Sequence, residues 1–271
     1  MEHNNSCNKL KIPELNEEDM PMIYLNSYIA FKSINMFKRK FFFKLFLEII
    51  AIVIGISASF GINEISNKRD QEIQKERVLN NILIESNDIK KYCDDRMKIW
   101  NQDIDIYNLL LKDELNLEKL KKVAISKNRI EYNLIYYRDF DPPMNRYKSA
   151  VNTGDLKYVD SENIKESITR LHNLNFTKVV STVDYEKKII NLIIELITEE
   201  NPSLILNAND SKINFEKYLK SLHKFIHENE KLKSNLIVQL KYFKTRVSSL
   251  KVYMITLDEL QYNIEETLKV N

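Results

Sequence analysis

Three glycines, five prolines, two cysteines and one tryptophan in 271 residues set the first limits. β-sandwiches and α/β folds need turn residues at short intervals, so a chain this poor in glycine and proline points to long helices joined by few turns. The same scarcity leaves no room for a glycine-rich phosphate loop or a nucleophile elbow. Cys7 and Cys93 flank the most apolar stretch of the chain and cannot pair across a membrane, so they provide neither a disulfide framework nor a metal signature. Charge of one sign is missing too. The 41 Lys and Arg nearly balance the 39 Asp and Glu, which gives no electrostatic footprint for nucleic acid. Lys, Asn, Ile and Tyr are abundant, a bias shared by AT-rich codons, and it carries no functional weight.

What the chain does have is one long apolar run. Residues 41–62 read FFFKLFLEIIAIVIGISASFGI, with Lys44 and Glu48 the only charges. As a helix the run spans roughly 33 Å at ~1.5 Å per residue, close to the thickness of a bilayer core. The run is therefore expected to be a single membrane-crossing helix. Some forty residues precede it, which argues against a cleaved signal peptide. Lys44 is placed to snorkel toward the headgroups, and Glu48, four residues on, is expected to pair with it. Gly55, Ala58 and Ser59 offer small surfaces where a second helix can approach. Lys44, Glu48 and Gly55 are thus the residues at which the membrane helix would act as more than an anchor. Lys38, Arg39, Lys40 and Lys44 crowd the amino-terminal flank, and the positive-inside rule then places the N-terminus in the cytoplasm and the following domain outside. Residues 1–40 read as a tail, with Ile23, Tyr24, Tyr28, Phe31 and Phe37 suited to a short interfacial helix.

Beyond the membrane, residues 63–271 are expected to form an all-α domain: a long helix continuing from the bilayer and an antiparallel, coiled-coil-like bundle. Ile82, Ile89, Cys93, Met97, Trp100, Ile104, Tyr107 and Leu111 recur at helical spacing, so Cys93 and Trp100 belong to the core. A break near residues 66–68 is possible, although no proline interrupts before Leu111. Residues 115–126 predict a shorter helix. The run Ile130, Tyr132, Leu134, Ile135, Tyr136, Tyr137 favours an extended strand before Asp141, Pro142 and Pro143 break the chain. A helix restarting at Met144 should end at Gly154, with its left-handed cap. Ser161 reads as an N-cap opening a proline-free helical stretch whose apolar face holds Leu171, Leu174, Val179, Val183, Ile190, Ile193 and Ile197. Residues 212–228 predict another helix. The last, from Lys231, carries a heptad-like stripe from Leu232 to Leu268, interrupted by Gln261.

Two blocks resemble a large, uncharacterised bacterial family of single-pass membrane proteins. The first is Leu47, Glu48, Ile49, Ile54, Gly55, Ile62 and Asn63; the second is Tyr147, Ala150, Thr153, Gly154, Asp155 and Leu156. The likeness covers residues 37–173. It departs where Glu64 and Ile65 stand in place of a tryptophan, and where Ala150 and Thr153 replace Leu and Ser. The resemblance implies topology and supplies no chemistry.

Candidate sites are few. His223 and His227 sit four apart on a helix, a spacing at which two imidazoles can share a metal, but Lys224 occupies the place a zincin glutamate would take. No cofactor is expected. Asp139 and Asp141 lie close enough to Arg138 and Arg146 for loop ion pairs. Tyr136, Tyr137, Asp141, Tyr147 and Asp155 surround the proline break and make the best candidate binding surface. These features favour a membrane-anchored module that binds or senses another envelope component, with a protein partner or a second copy of the chain and no enzymatic activity. An oligomeric, channel-like membrane effector is the alternative.

Overall fold

The computed structural model describes the backbone of residues 22–270 and the side chains of residues 41–269. The tail residues 1–21 and the side chains of 22–40 lie outside that range, and the interfacial reading of 1–40 with them. Among the described residues every regular element is helical. The chain divides into two units, Met1–Arg69 and Asp70–Asn271.

The helix α1 (Met22–Leu110) runs for 89 residues from the first unit into the second, through the whole apolar stretch and without the break considered near 66–68. An 18-residue window within it has a mean hydropathy of 2.3 and no buried residue, so the helix is long and apolar enough to cross a membrane. Phe41, Phe46, Ile52, Ile54 and Phe60 are all exposed. The Ser59 hydroxyl donates to the Gly55 carbonyl at 2.9 Å, which satisfies it inside the helix. The expected Lys44–Glu48 pair is not formed. The ion pairs of the first unit's described side chains consist of Lys68 with Glu64 at 2.8 Å, because the i,i+4 spacing permits the first pair without enforcing it.

In the second unit, α9 (Glu230–Val270) is the spine. The end of α1 runs antiparallel to it, shown by Gln261 donating to Asn87 and by the edge-on contact of Tyr107 with Phe243. α6 (Phe176–Glu200) runs antiparallel to α9 as well, from the Arg170–Glu259 pair just before it to Arg246 against Thr182. The shorter elements are α2 (Leu117–Ala124), α3 (Lys127–Ile135), α4 (Asn145–Thr153), α5 (Glu162–Thr169), α7 (Ser203–Asn209) and α8 (Phe215–Glu228). They close the two ends of this three-helix frame over two apolar clusters. One is built around Leu79, Trp100, Phe140, Val183 and Tyr253, and the other around Tyr107, Leu134, Ile197, Leu222 and Leu236.

Local signals explain most boundaries. Asn116, Ser126, Ser161 and Asn214 each accept an amide of the first turn of the helix they open. Gly154 closes α4 at φ +73°, the left-handed conformation expected there. The expected strand in 129–140 is corrected: residues 130–135 belong to α3, Tyr136 leaves it in an extended conformation, and 136–140 form no regular element. Ser126 caps the segment as a helix and Ile130 and Leu134, four apart, enter the core, so tertiary burial overrides β propensity. The proline-free stretch from Ser161 includes a π-turn at Arg170–Asn175, which shifts the register and leaves Leu174 exposed instead of on the apolar face. α7 was not foreseen.

Candidate functional site

Between the two apolar clusters lies a band of buried charge. Asp103 stands between Trp100 and Ile106 on α1, Glu186 between Val183 and Ile190 on α6, and Arg246 between Phe243 and Val247 on α9; all three are buried. Arg246 donates from Nε to the Thr182 hydroxyl at 3.0 Å and from Nη2 to the Thr182 carbonyl at 3.1 Å. Its guanidinium touches Glu186 as an ion pair and lies 5.1 Å from the Trp100 ring centroid. Burial pushes the Glu186 carboxyl up to about 7 against the opposing pull of Arg246. Asp103 is pushed up to about 6 by burial, although Arg129 draws it down. Burial lowers Arg246, and Glu186 opposes that.

Asp103 also reaches outward. Its carboxylate accepts Nη2 of Arg129 from α3 and, at 3.0 Å, Nε of Arg138 from the extended segment. Arg138 Cζ lies over the Tyr132 ring, 4.4 Å from its centroid, and Tyr132 stacks on Tyr136 at 4.9 Å. Beside them is a groove of about 460 Å³ lined by Ile99, Gln102, Asn128, Arg129, Tyr132 and Arg138.

The expected binding surface is only partly assembled. Tyr136 and Tyr137 are exposed, Tyr137 beneath Lys187 with Nζ 4.5 Å from its ring centroid. Asp141 is exposed, and its amide donates to the Tyr92 hydroxyl at 2.8 Å. Tyr147 instead packs against His172 on the π-turn, ring on ring at 3.7 Å, and Asp155 faces Arg77 at 3.6 Å. The five residues therefore fall into two groups, one on the extended segment and one on α4 and the turn after it. The expected loop ion pairs are also rearranged: Arg138 turns inward to Asp103, Arg146 donates to Asn81, and Asp139 pairs with Lys187. A buried carboxylate outweighs the neighbouring exposed ones as a partner because it has no water to solvate it.

A residue with no signature in the sequence organises the second group. Glu85 on α1 is buried, and its carboxylate accepts the first-turn amides of Arg146 and Tyr147. It supplies the cap for α4 that Met144 at the N-cap position cannot. Burial raises the Glu85 carboxyl, while the two amides pull the other way. His172, buried beneath Tyr147, is lowered to about 4 by burial and is neutral at physiological pH.

The rings of His223 and His227 lie 4.2 Å apart, tilted by 34°, and the Nε2 atom of each is turned to the chain around the end of α1. His223 Nε2 lies 2.8 Å from the Lys112 carbonyl and His227 Nε2 3.3 Å from that of Leu110. His227 thus serves a carbonyl left open at the last residue of α1, and His223 that of Lys112 in the turn that follows. No group of three or more potential metal ligands occurs among the described residues. Cys93 is buried and its thiol pushed up to about 12 by burial, consistent with a core residue.

Comparison with protein-family models, curated proteins and solved structures finds no match to the chain.

Proposed function

We propose that this chain is a membrane-anchored helical module that holds or senses another component of the cell envelope through its second unit, with binding as its output. The observation that supports this reading most is the make-up of α1. One uninterrupted helix passes from residues whose apolar side chains none of the described residues covers into residues that form the core of a helical domain. An apolar surface of that extent is unfavourable in water and favourable in a bilayer. The proposed setting is the cytoplasmic membrane of a bacterium. Lys38, Arg39, Lys40 and Lys44 favour a cytoplasmic N-terminus, with the helical domain on the outer side. On that domain, Tyr136, the C-cap residue of α3, and Tyr137 are adjacent exposed aromatics. Exposed tyrosines of this kind are typical anchors of protein contacts.

A photoreactive phenylalanine analogue at position 136 or 137 tests the reading in native membranes. The expected result is capture of one envelope component that the same probe at Tyr262, exposed on α9, does not capture. Crosslinks only between copies of the chain would overturn it.

One observation favours an oligomeric membrane effector as a second reading: Glu48 has no partner among the described side chains of its own unit, and a carboxylate in an apolar medium requires one. Reconstituted vesicles that leak with the natural chain and not with Glu48→Leu would support it. Vesicles that stay tight with both would exclude it.

A further inference from the structure

Two arginines share one carboxylate at the groove beside α3, and the arithmetic of charge and donors does not close there. Arg129 uses Nη1 on Asn133 and Nη2 on Asp103; Arg138 uses Nε on Asp103. Arg129 Nε and both terminal nitrogens of Arg138 have no acceptor among the described residues. The Arg129 and Arg138 side chains are only 20% and 15% exposed, so this is not an ordinary pair of solvated surface cations, yet their free nitrogens remain open to the groove. Two positive charges around Asp103 leave one in excess, and bringing like charges together in a partly dry site is unfavourable without a further anion.

The surroundings fit that anion. None of the six residues lining the groove is acidic, whereas the chain as a whole is nearly neutral. The Gln102 and Asn128 amides add donors at the walls, and Ile99 provides an apolar side. The volume of about 460 Å³ falls within the range of small-molecule sites. The donors are also held in place: Asp103 fixes both guanidinium groups from below, and the Tyr132–Tyr136 stack supports the Arg138 plane. Such preorganisation lowers the ordering cost of binding. An arginine fork with free terminal nitrogens is matched to the paired oxygens of a carboxylate or phosphate.

We infer that this groove binds a small anionic ligand through its carboxylate or phosphate oxyanion, with Arg138 as the primary contact and Arg129 as the second. The site is independent of the membrane-tether reading, and either can fail without the other.

The test uses the full chain in detergent micelles, titrated with inorganic phosphate and, separately, with succinate, at ionic strength held constant with chloride. Calorimetry and the thermal unfolding midpoint are both read. Saturable binding by at least one of the probes, with a rise in midpoint that chloride does not produce, is the expected result. The probe that binds more tightly identifies the oxyanion. Arg138→Gln should weaken binding by about tenfold or more, the loss expected for a charge-assisted hydrogen bond. Gln102→Glu, which leaves every partner of Asp103 in place, should weaken it comparably by setting a carboxylate against the ligand. Absence of saturation with either probe, or equal binding by the natural chain and a folded Gln102→Glu variant, would overturn the inference.

Discussion

Within the single helix α1, residues 41–65 expose Phe41, Phe46, Ile52, Ile54 and Phe60, while residues 78–110 bury Leu79, Ile89, Trp100 and Tyr107 and leave most of their charged neighbours outside, Glu85 and Asp103 excepted. The first stretch is almost free of charge and uncovered; the second is rich in charge and covered by α6 and α9. The contrast shows that helicity alone does not decide the environment of a segment. In the proposed membrane setting the partner of the first stretch is the apolar bilayer core, and a helix needs no tertiary contact to satisfy its backbone there. In the second stretch the partner is the rest of the domain, which is packed well enough to enclose Arg246, Glu186 and Asp103 as well.

The largest effect expected from breaking that contrast comes from Arg246→Ala. Removing the guanidinium leaves Glu186 buried without a counter-charge and should cost the domain about 3–5 kcal/mol in urea unfolding followed by circular dichroism. Arg246→Met combined with Glu186→Leu should recover most of the loss. If the double variant is no better than the single one, the buried pair is not the source.

The same kind of truncation should behave differently in the two stretches. Leu79→Ala opens a cavity in the core and should lower domain stability by about 2–5 kcal/mol, whereas Ile54→Ala should leave domain unfolding unchanged. Equal losses would erase the distinction between the stretches.

Titration refines the covered half. Glu186 is raised from its ordinary 4.5 to about 7 and Asp103 from 3.8 to about 6. The folded state thus holds protons that the unfolded chain releases, so their contribution is full at low pH and is lost as pH rises toward 7. His172 is lowered from 6.5 to about 4, so its contribution is lost as pH falls through that window. Unfolding measured across pH 4–8 should show Glu186→Gln flattening the loss on the neutral side and His172→Phe flattening that on the acid side. Unchanged profiles would contradict the burial of these groups.

A smaller effect is expected at Ile125, which holds φ +67° between α2 and α3 in a tight turn closed by Ser126 donating to the Ala124 carbonyl. A β-branched residue is strained there, and Ile125→Gly should stabilise the domain by about 1 kcal/mol. A loss of stability would mean that the turn is not strained.

Much of this arrangement was legible in the sequence, for identifiable reasons. The apolar run, the cap at Ser161, the left-handed Gly154 and the stripe from Leu232 to Leu268 are local signals, each read within a few residues. The charged band was not read, because Asp103, Glu186 and Arg246 are far apart in the chain and meet only once three helices pack. Their trace in the sequence is a charged residue in or beside each apolar stripe, a weaker signal than Gln261 at a heptad position. Glu85 as the cap of α4 was equally hidden, since the cap lies some sixty residues from the amides it serves. The strand expected in 129–140 does not form because the Ser126 cap and the burial of Ile130 and Leu134 outweigh the β propensity of Ile130 and Tyr132.

The most direct measurement on the central claim is extraction of membranes carrying the full chain with alkaline carbonate. The chain should remain in the membrane pellet, and a variant with both Ile52→Arg and Ile54→Arg should be released, since each central arginine costs about 2.5–3.5 kcal/mol of insertion. Release of the natural chain by the same wash would contradict a helix that crosses the bilayer.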